Sequence, residues 1–77
     1  WPGLYFEKNN IAIKIHGFKE YNGNTEVFEE NSFTFISDGI AVKTNDSVLV
    51  ITHLQFPGKR IISASDAVNS HAKFFEN

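Results

Sequence analysis

The sequence predicts an all-β fold with one C-terminal helix, and three observations support this class. β-Branched and aromatic residues, among them eight phenylalanines, cluster in short runs separated by Asn, Asp and Gly. These runs would form five or six short strands, and the final residues change to helical spacing. The chain has 77 residues, which limits it to one domain over residues 1–77. We predict a small OB-fold-like Greek-key β-barrel, because closure removes exposed strand edges, with an SH3-like barrel as the alternative.

The first half of the chain is predicted to hold strands at 4–7, 11–16 and 18–21. Alternation is clearest in the second run, where Ile11, Ile13 and Ile15 share one face and Lys14 and His16 share the other. Residue 17 is a glycine that interrupts this run, as glycines do at β-bulges and barrel corners. Turn residues occupy 8–10 and 22–24, and the acidic stretch 26–30 is either a loop or a short helical turn.

The second half is predicted to hold strands at 32–36, 40–43 and 48–54, followed by a helix. Asp38-Gly39 between two apolar runs predicts a hairpin, because both central residues of a type I′ turn need positive φ. Turns are expected at 44–47 and in the Pro-Gly loop 55–60. Ser63 precedes Asp66 by three positions, which is typical of a helix N-cap. The apolar residues that follow predict one amphipathic helix over 64–75.

The strand faces also predict the core of the barrel. Burial at about 25 cal/mol per Å² of apolar surface would hold so small a domain together. The residues expected to be buried are Ile11, Ile13, Ile15, Phe33, Phe35, Ile40, Val42, Val50 and Leu54.

Composition excludes several classes of protein. The chain has no cysteine, so disulfides and cysteine-based zinc sites are ruled out. The absence of cysteine is compatible with the cytoplasmic location that we expect. The longest apolar run, residues 48–51, is too short for a membrane span, so we expect no membrane partner. The net charge of −2 weighs against strong independent binding of nucleic acid. The chain begins with Trp1 and contains no methionine, so we expect a piece of a longer protein.

Candidate catalytic and metal-binding groups all have simpler interpretations. Ser63, Ser65 and Ser70 lie near His71 in sequence, but helix capping explains these serines better than a catalytic triad does. The three histidines, His16, His53 and His71, lack the spacing of a metal site. The acidic residues Glu26, Glu29 and Glu30 resemble a solvated face more than a pair of catalytic carboxylates. We therefore expect no catalytic residue and no metal site.

The loop that contains Lys59 and Arg60 is the most informative candidate. Two cations in a glycine-containing loop can contact phosphate oxygens without sequence specificity. Phe56 would either stack on a base or turn into the core. Composition alone favours a solvated loop with Phe56 in the core.

At this loop the sequence resembles a known family. Residues 54–70, LQFPGKRIISASDAVNS, are similar to a stretch in the C-terminal domain of methionyl-tRNA formyltransferases, which has Leu-Gln, a short Pro/Gly loop, paired basic residues, Ser-Ala-x-Asp and an Asn. The opening WPGLYF is similar to the Pro-Trp-Pro-Gly-Thr-Tyr-Phe start of that domain. Residues 38–44, DGIAVKT, followed by Asp46 and Val48-Leu49, are similar to its Asp-Gly-Ile-x-Val-x-Thr, Asp-Gly, Leu pattern. These matches keep the family order and span nearly the whole chain.

The resemblance implies an OB-like barrel attached to an N-terminal Rossmann-like catalytic domain. In that family the catalytic domain transfers a formyl group from 10-formyltetrahydrofolate to methionyl-tRNA, which links one-carbon metabolism to protein biosynthesis. The present residues would then be catalytically silent and would hold no cofactor. The barrel would assist tRNA binding through a basic surface. Lys59 and Arg60 match the paired basic residues of the family loop, and Lys43, Lys14 and Lys73 are further candidates.

Two alternatives stay open at this point. Some family members continue with arginines where this chain has His71-Ala72-Lys73, and the net charge is −2. Related enzymes that formylate amino sugars on nucleotide carriers do not need to bind tRNA, so an acidic barrel would be compatible with their function. The third interpretation is a stand-alone β-barrel interaction module without an enzyme attached.

Overall fold

The computed structural model describes residues 4–44 and 47–76, and this part of the chain is mostly antiparallel β-sheet. The predicted class, all-β with a single C-terminal α-helix, is confirmed. Two short 3₁₀ helices, η1 and η2, add to it, and no helix among the described residues is long and apolar enough to cross a membrane. The elements are β1 (Leu4–Lys8), β2 (Ile11–Glu20), η1 (Thr25–Val27), β3 (Phe33–Ile36), β4 (Gly39–Thr44), β5 (Ser47–Gln55), β6 (Ile61–Ser63), α1 (Ala64–Ser70) and η2 (Ala72–Phe75).

The strands form one sheet in the order β1-β2-β5-β4-β3, with β6 beside the C-terminal end of β5. The long strand β5 has two successive neighbours on one edge. Its first half pairs with β4, from Ser47 opposite Thr44 to Ile51 opposite Ile40, and residues 53–55 pair with β6. Across the described residues the ladder ends at β1 on one side and β3 on the other, so it does not close through hydrogen bonds.

Side chains connect the two edge strands that the hydrogen bonds leave apart. The rings of Phe6 on β1 and Phe33 on β3 lie 5.2 Å apart between centroids. Lys8 Nζ lies 5.2 Å from the centre of the Phe33 ring and donates a hydrogen bond of 3.0 Å to the Glu76 carbonyl oxygen. Phe75 of η2 packs edge-on against Phe33 at 5.8 Å. The sheet is therefore curled like a barrel, and η2 covers the gap between its edges.

The interior contains most of the predicted core, with two errors. Phe33 and Val42 lie partly buried against the main cluster, and the other five correctly predicted residues are fully buried. Ile11 and Phe35 were predicted to be buried but are exposed. Ile11 follows the turn at the very end of the β1–β2 hairpin, and Phe35 lies on the edge strand β3. The main cluster is Ile13, Ile15, Ile40, Ile51, Leu54, Phe56, Ala64, Ala67 and Phe75, and Val50 is also buried.

A second, smaller cluster lies on the opposite face of β4, and the sequence did not predict it. Phe28, which follows η1, packs with Ala41 and Val48, and its ring meets that of Tyr21 edge-on at 4.9 Å. The segment between β2 and β3 therefore covers the outer face of the sheet at this point. Phe28 lies in the acidic stretch predicted to be a loop or a short helical turn, which begins with the short helix η1, and it packs this stretch against the sheet.

The hairpin turns differ in detail from the prediction. The β3–β4 hairpin forms, but Ile36 pairs with Gly39, and neither of the two connecting residues has positive φ, so the predicted type I′ turn at Asp38-Gly39 was wrong. The two positive φ angles of such a turn, 54° and 65°, occur instead at Asn9 and Asn10 between β1 and β2. Gly39 has φ of 152°, and an added Cβ would collide with the Ile51 carbonyl oxygen, so glycine is required there.

The terminal helix is shorter than predicted. Ser63 caps α1 as expected, since its Oγ accepts a hydrogen bond of 3.1 Å from the Asp66 backbone N–H. The single helix predicted over 64–75 was wrong, because α1 ends at Ser70 and His71 leaves the helical region at φ −132° and ψ 37°. The break redirects the chain into η2, so that Phe75 enters the core instead of continuing along the axis of α1.

Gly17 lies in a β-bulge, as the sequence predicted. The register between β2 and β5 shifts on both sides of this residue. A Cβ at this position would lie 2.6 Å from Thr52 Oγ1 and 3.0 Å from His53 Nδ1. We expect Gly17→Ala to lower the free energy of unfolding by about 1–2 kcal/mol, as overpacking does. Urea denaturation measures this change.

Thr52→Ala provides the control for this prediction. It removes the atom that a Cβ at position 17 would approach most closely. The double variant Gly17→Ala, Thr52→Ala should therefore be less destabilised than the sum of the single variants. Strict additivity would show that the bulge does not bring these two positions into contact.

Candidate nucleic-acid interface

The loop that carries the two predicted phosphate ligands is built around a tight turn. The Lys59 backbone N–H donates a hydrogen bond of 3.0 Å to the Phe56 carbonyl oxygen. Pro57 and Gly58 are the central residues, and Gly58 has φ of 74°. Proline at the second position and positive φ at the third define a type II turn. Lys59 and Arg60 follow this turn directly, and both are exposed to solvent.

Phe56 anchors the start of the loop in the core and does not offer its ring to a ligand. It is 8% exposed and stacks on the His71 imidazole with 4.2 Å between ring centroids and 26° between planes. Its ring also meets that of Phe74 edge-on at 5.2 Å. The interpretation that composition favoured, Phe56 turned into the core, is therefore correct.

Gln55 holds the other end of the loop, a role that was not predicted from the sequence. Its Nε2 donates a hydrogen bond of 2.8 Å to the Lys59 carbonyl oxygen, and its Oε1 lies 2.8 Å from His16 Nε2. The only available signals were that Gln55 begins the predicted loop and that His16 points to the outer face of its strand. Strand pairing brings the two residues together, and that pairing is not visible in the sequence.

Lys14 lies on the same surface as the loop. Its Cα neighbours across the sheet are those of Tyr5 on β1 and Gln55 on β5. With these residues, Pro57 and Gly58 it lines a shallow groove of about 420 Å³. Strand pairing thus brings Lys14 beside the turn that presents Lys59 and Arg60, and we call these three residues the basic loop surface.

The other two candidate cations are placed differently. Lys43 pairs with Val48 near the start of β5, whereas Lys14 pairs with Gln55 at its end. Seven residues of strand at about 3.3 Å each separate these positions by roughly 23 Å, so Lys43 is not part of the basic loop surface. Lys73 is exposed on η2, whose Phe74 contacts Phe56 at the base of the loop. It is therefore adjacent to this surface, on a neighbouring element.

The remaining candidate groups have structural partners. Ser63 caps α1, and Ser70 Oγ donates a hydrogen bond of 2.7 Å to the Asp66 carbonyl oxygen. His71 is stacked on Phe56, and His53 Nδ1 lies 3.0 Å from Thr52 Oγ1. The described part of the chain contains no cluster of three His, Cys, Asp or Glu that could hold a metal ion. Ser63 and Ser70 therefore bond to the backbone of α1, while His71 packs on Phe56 and His53 contacts Thr52.

A second, larger groove lies elsewhere on the molecule. It has a volume of about 500 Å³ between the β3–β4 turn and α1, and it is lined in part by Phe35, Asp38, His53 and Asn69. None of the five candidate cations lines this groove. Lys14, Lys59 and Arg60 are thus associated with the loop end of β5 and not with this larger groove.

Comparison with known proteins gives a consistent result. A profile of the family described as "Formyl transferase, C-terminal domain" matches residues 1–72. The chain is 34% identical to the methionyl-tRNA formyltransferase of Finegoldia magna over 77 aligned residues, which cover 94% of this chain and 23% of that protein. It is 26% identical to the methionyl-tRNA formyltransferase of Blochmanniella pennsylvanica over an alignment of length 83, which covers 99% of this chain and 26% of that protein. The chain thus spans about a quarter of the length of these curated relatives.

Proposed function

Because the chain belongs to the formyl transferase C-terminal domain family, we propose that it is the accessory domain of a methionyl-tRNA formyltransferase and assists tRNA binding. The observation that carries this proposal is the basic loop surface, where strand pairing places Lys14 beside the turn that presents Lys59 and Arg60. These cations would contact phosphate oxygens and leave base recognition to other parts of the protein.

The proposal assigns the chemical step to another part of the protein. A separate N-terminal Rossmann-like catalytic domain would bind 10-formyltetrahydrofolate and transfer its formyl group to the amine of methionyl-tRNA. The residues described above would contribute affinity and orientation only, and we propose an OB-like barrel in the cytoplasm for this role. The curled sheet supports the barrel, and the two relatives named as methionyl-tRNA formyltransferases support the acceptor.

The electrostatics set a limit on how strongly the domain binds by itself. The net charge is −2, and the exposed Glu7 lies on the same face of β1 as Tyr5, two residues away. Such a domain would bind a polyanion weakly at physiological salt, mainly through the three cations at the loop end of the barrel. We therefore expect a local contact that adds to the affinity of the catalytic domain for tRNA.

The charge also favours one competing candidate, the C-terminal barrel of an enzyme that formylates nucleotide-linked amino sugars. That acceptor needs no extended phosphate surface, so an acidic barrel would be sufficient. Titration of the 77-residue chain with tRNA at about 50 mM salt distinguishes the two acceptors. Saturable binding whose log Kd rises linearly with log salt is expected. Absence of tRNA binding, together with formyl transfer by the full-length protein to a nucleotide-linked amino sugar, would favour the competing candidate. Absence of both would favour a stand-alone interaction module.

A further inference from the structure

Gln55 connects three parts of the molecule through its side-chain amide. It is the last residue of β5 and directly precedes the loop of the basic loop surface. Its Nε2 lies 2.8 Å from the Lys59 carbonyl oxygen, and its Oε1 lies 2.8 Å from His16 Nε2 on β2. The amide therefore bridges β2, β5 and the loop.

The chemistry of these contacts fixes where the protons are. A carbonyl oxygen can only accept, so the amide must present its NH₂ group to Lys59. Its oxygen then faces His16, and an amide oxygen can only accept as well. His16 Nε2 must therefore carry a proton, and the neutral imidazole is the Nε2–H tautomer. Because the charged imidazole also carries this proton, the bridge forms in either protonation state.

The bridge adds a third restraint to a loop that already has two. Phe56 is anchored in the core, and the Lys59 backbone N–H closes the type II turn on the Phe56 carbonyl oxygen. Gln55 then holds the carbonyl group of Lys59, so both polar backbone groups of this residue are bonded within the loop. The backbone from which the Lys59 and Arg60 side chains extend is thereby ordered before any ligand arrives.

We propose that Gln55, oriented by His16, is a positioning residue that holds Lys59 and Arg60 in the conformation that contacts phosphate. This inference rests on the function proposed above, in which the ordered loop contacts phosphate groups of tRNA. A preordered loop loses less conformational entropy when it binds a partner. Loss of the bridge should weaken tRNA binding roughly threefold to tenfold. The salt slope should stay unchanged, since no cation is removed.

Four variants of the 77-residue chain, compared at one fixed pH, test this proposal. Gln55→Leu and His16→Leu remove the bridge without adding charge. His16→Gln keeps an N–H donor for the Gln55 oxygen and should restore much of the effect. His53→Leu is the matched control, because it removes an exposed histidine of β5 whose ring contacts Thr52 and not the loop.

Backbone ¹⁵N relaxation and tRNA titration provide two independent readouts. In the parent chain the amides of residues 58–60 should have order parameters near about 0.85, falling below about 0.6 in Gln55→Leu. The ¹⁵N shifts of His16 should report the Nε2–H tautomer. Affinity for tRNA should fall in Gln55→Leu and His16→Leu at an unchanged salt slope, and it should be kept in His16→Gln and His53→Leu.

Three results would overturn the proposal. An Nδ1–H tautomer at His16, or an equally ordered loop in Gln55→Leu, would show that the bridge does not hold the loop. A loosened loop with unchanged tRNA affinity, while Lys59→Ala, Arg60→Ala weakens binding, would show that the bridge is structural only. If Lys59→Ala, Arg60→Ala itself has no effect on tRNA, the proposed function fails as well, and the order parameters still show whether the bridge exists.

Discussion

Replacing Phe75 with alanine is expected to lower the free energy of unfolding by about 3–5 kcal/mol. This side chain is 2% exposed and is the aromatic centre of the open side of the barrel. Its ring lies 5.8 Å from that of Phe33, 6.3 Å from that of Phe56 and 5.1 Å from that of Phe74. Alanine would leave a cavity where η2 covers the gap between β1 and β3, and no backbone hydrogen bonds across that gap would compensate for it.

Thermal unfolding followed by circular dichroism measures this effect. A loss of 1 kcal/mol lowers Tm by about 4–8 °C in a domain of this size, so a decrease of at least roughly 12 °C is expected. Phe75→Leu keeps most of the volume and should cost less than about 1.5 kcal/mol, so it reports on the site if the alanine variant does not fold. Phe18→Ala is the matched control, because that ring is 46% exposed. Equal decreases for Phe75→Ala and Phe18→Ala would contradict the role assigned to η2.

Removing both cations of the loop, with Lys59→Ala and Arg60→Ala, is expected to reduce the salt dependence of tRNA binding by about two phosphate contacts. Each contact contributes about 0.9 to the slope of log K against log salt. The loss of one contact therefore lowers the affinity roughly tenfold at about 50 mM salt. Lys14→Ala should remove about one further contact. Filter binding across a series of salt concentrations measures both the slope and the affinity.

Two single variants serve as controls for the loss of positive charge. Lys19→Ala removes an exposed lysine whose Nζ lies 3.3 Å from Asp38 Oδ2, away from the loop. Lys43→Ala removes a lysine about 23 Å along β5 from the loop end, so it should affect binding much less than Lys59→Ala does. If all lysine variants weaken binding equally, the attraction is a diffuse effect of net charge and not a contact at the loop.

Much of the fold could be predicted because local signals agreed with the tertiary structure. Alternation at Ile13 and Ile15, the glycine at position 17 and the serine at position 63 each report a local geometry that the fold retains. The positions of the strands follow from the same patterns. These features depend on neighbours close in sequence, so the sequence alone was sufficient to predict them.

The errors share a different cause. Ile11 and Phe35 continue an apolar alternation but lie at the edges of the sheet, where neighbouring elements cover them only in part. The break at His71 arises because Phe75 enters the core and His71 stacks on Phe56, and both contacts join residues from different elements. A periodic pattern shows which face is apolar but not how far along the chain that face remains covered.

The candidate site was predictable only in part for the same reason. The Pro-Gly pair and the two cations after it mark the loop in the sequence. Lys14 joins them through strand pairing, and Gln55 joins them through a side-chain hydrogen bond to Lys59. Neither contact leaves a signal in the sequence, because strand register decides the first and the conformation of the loop decides the second. Register also separates Lys43 from the loop.

The most direct test of the proposed function is the steady-state kinetics of the full-length protein with methionyl-tRNA and 10-formyltetrahydrofolate. We expect Lys59→Ala, Arg60→Ala to raise KM for methionyl-tRNA at least roughly tenfold and to leave kcat within about twofold, since the loop would contribute uniform binding and no chemistry. Unchanged KM in this variant would contradict the role of the basic loop surface. Formylation of a nucleotide-linked amino sugar in place of methionyl-tRNA would contradict the proposed acceptor.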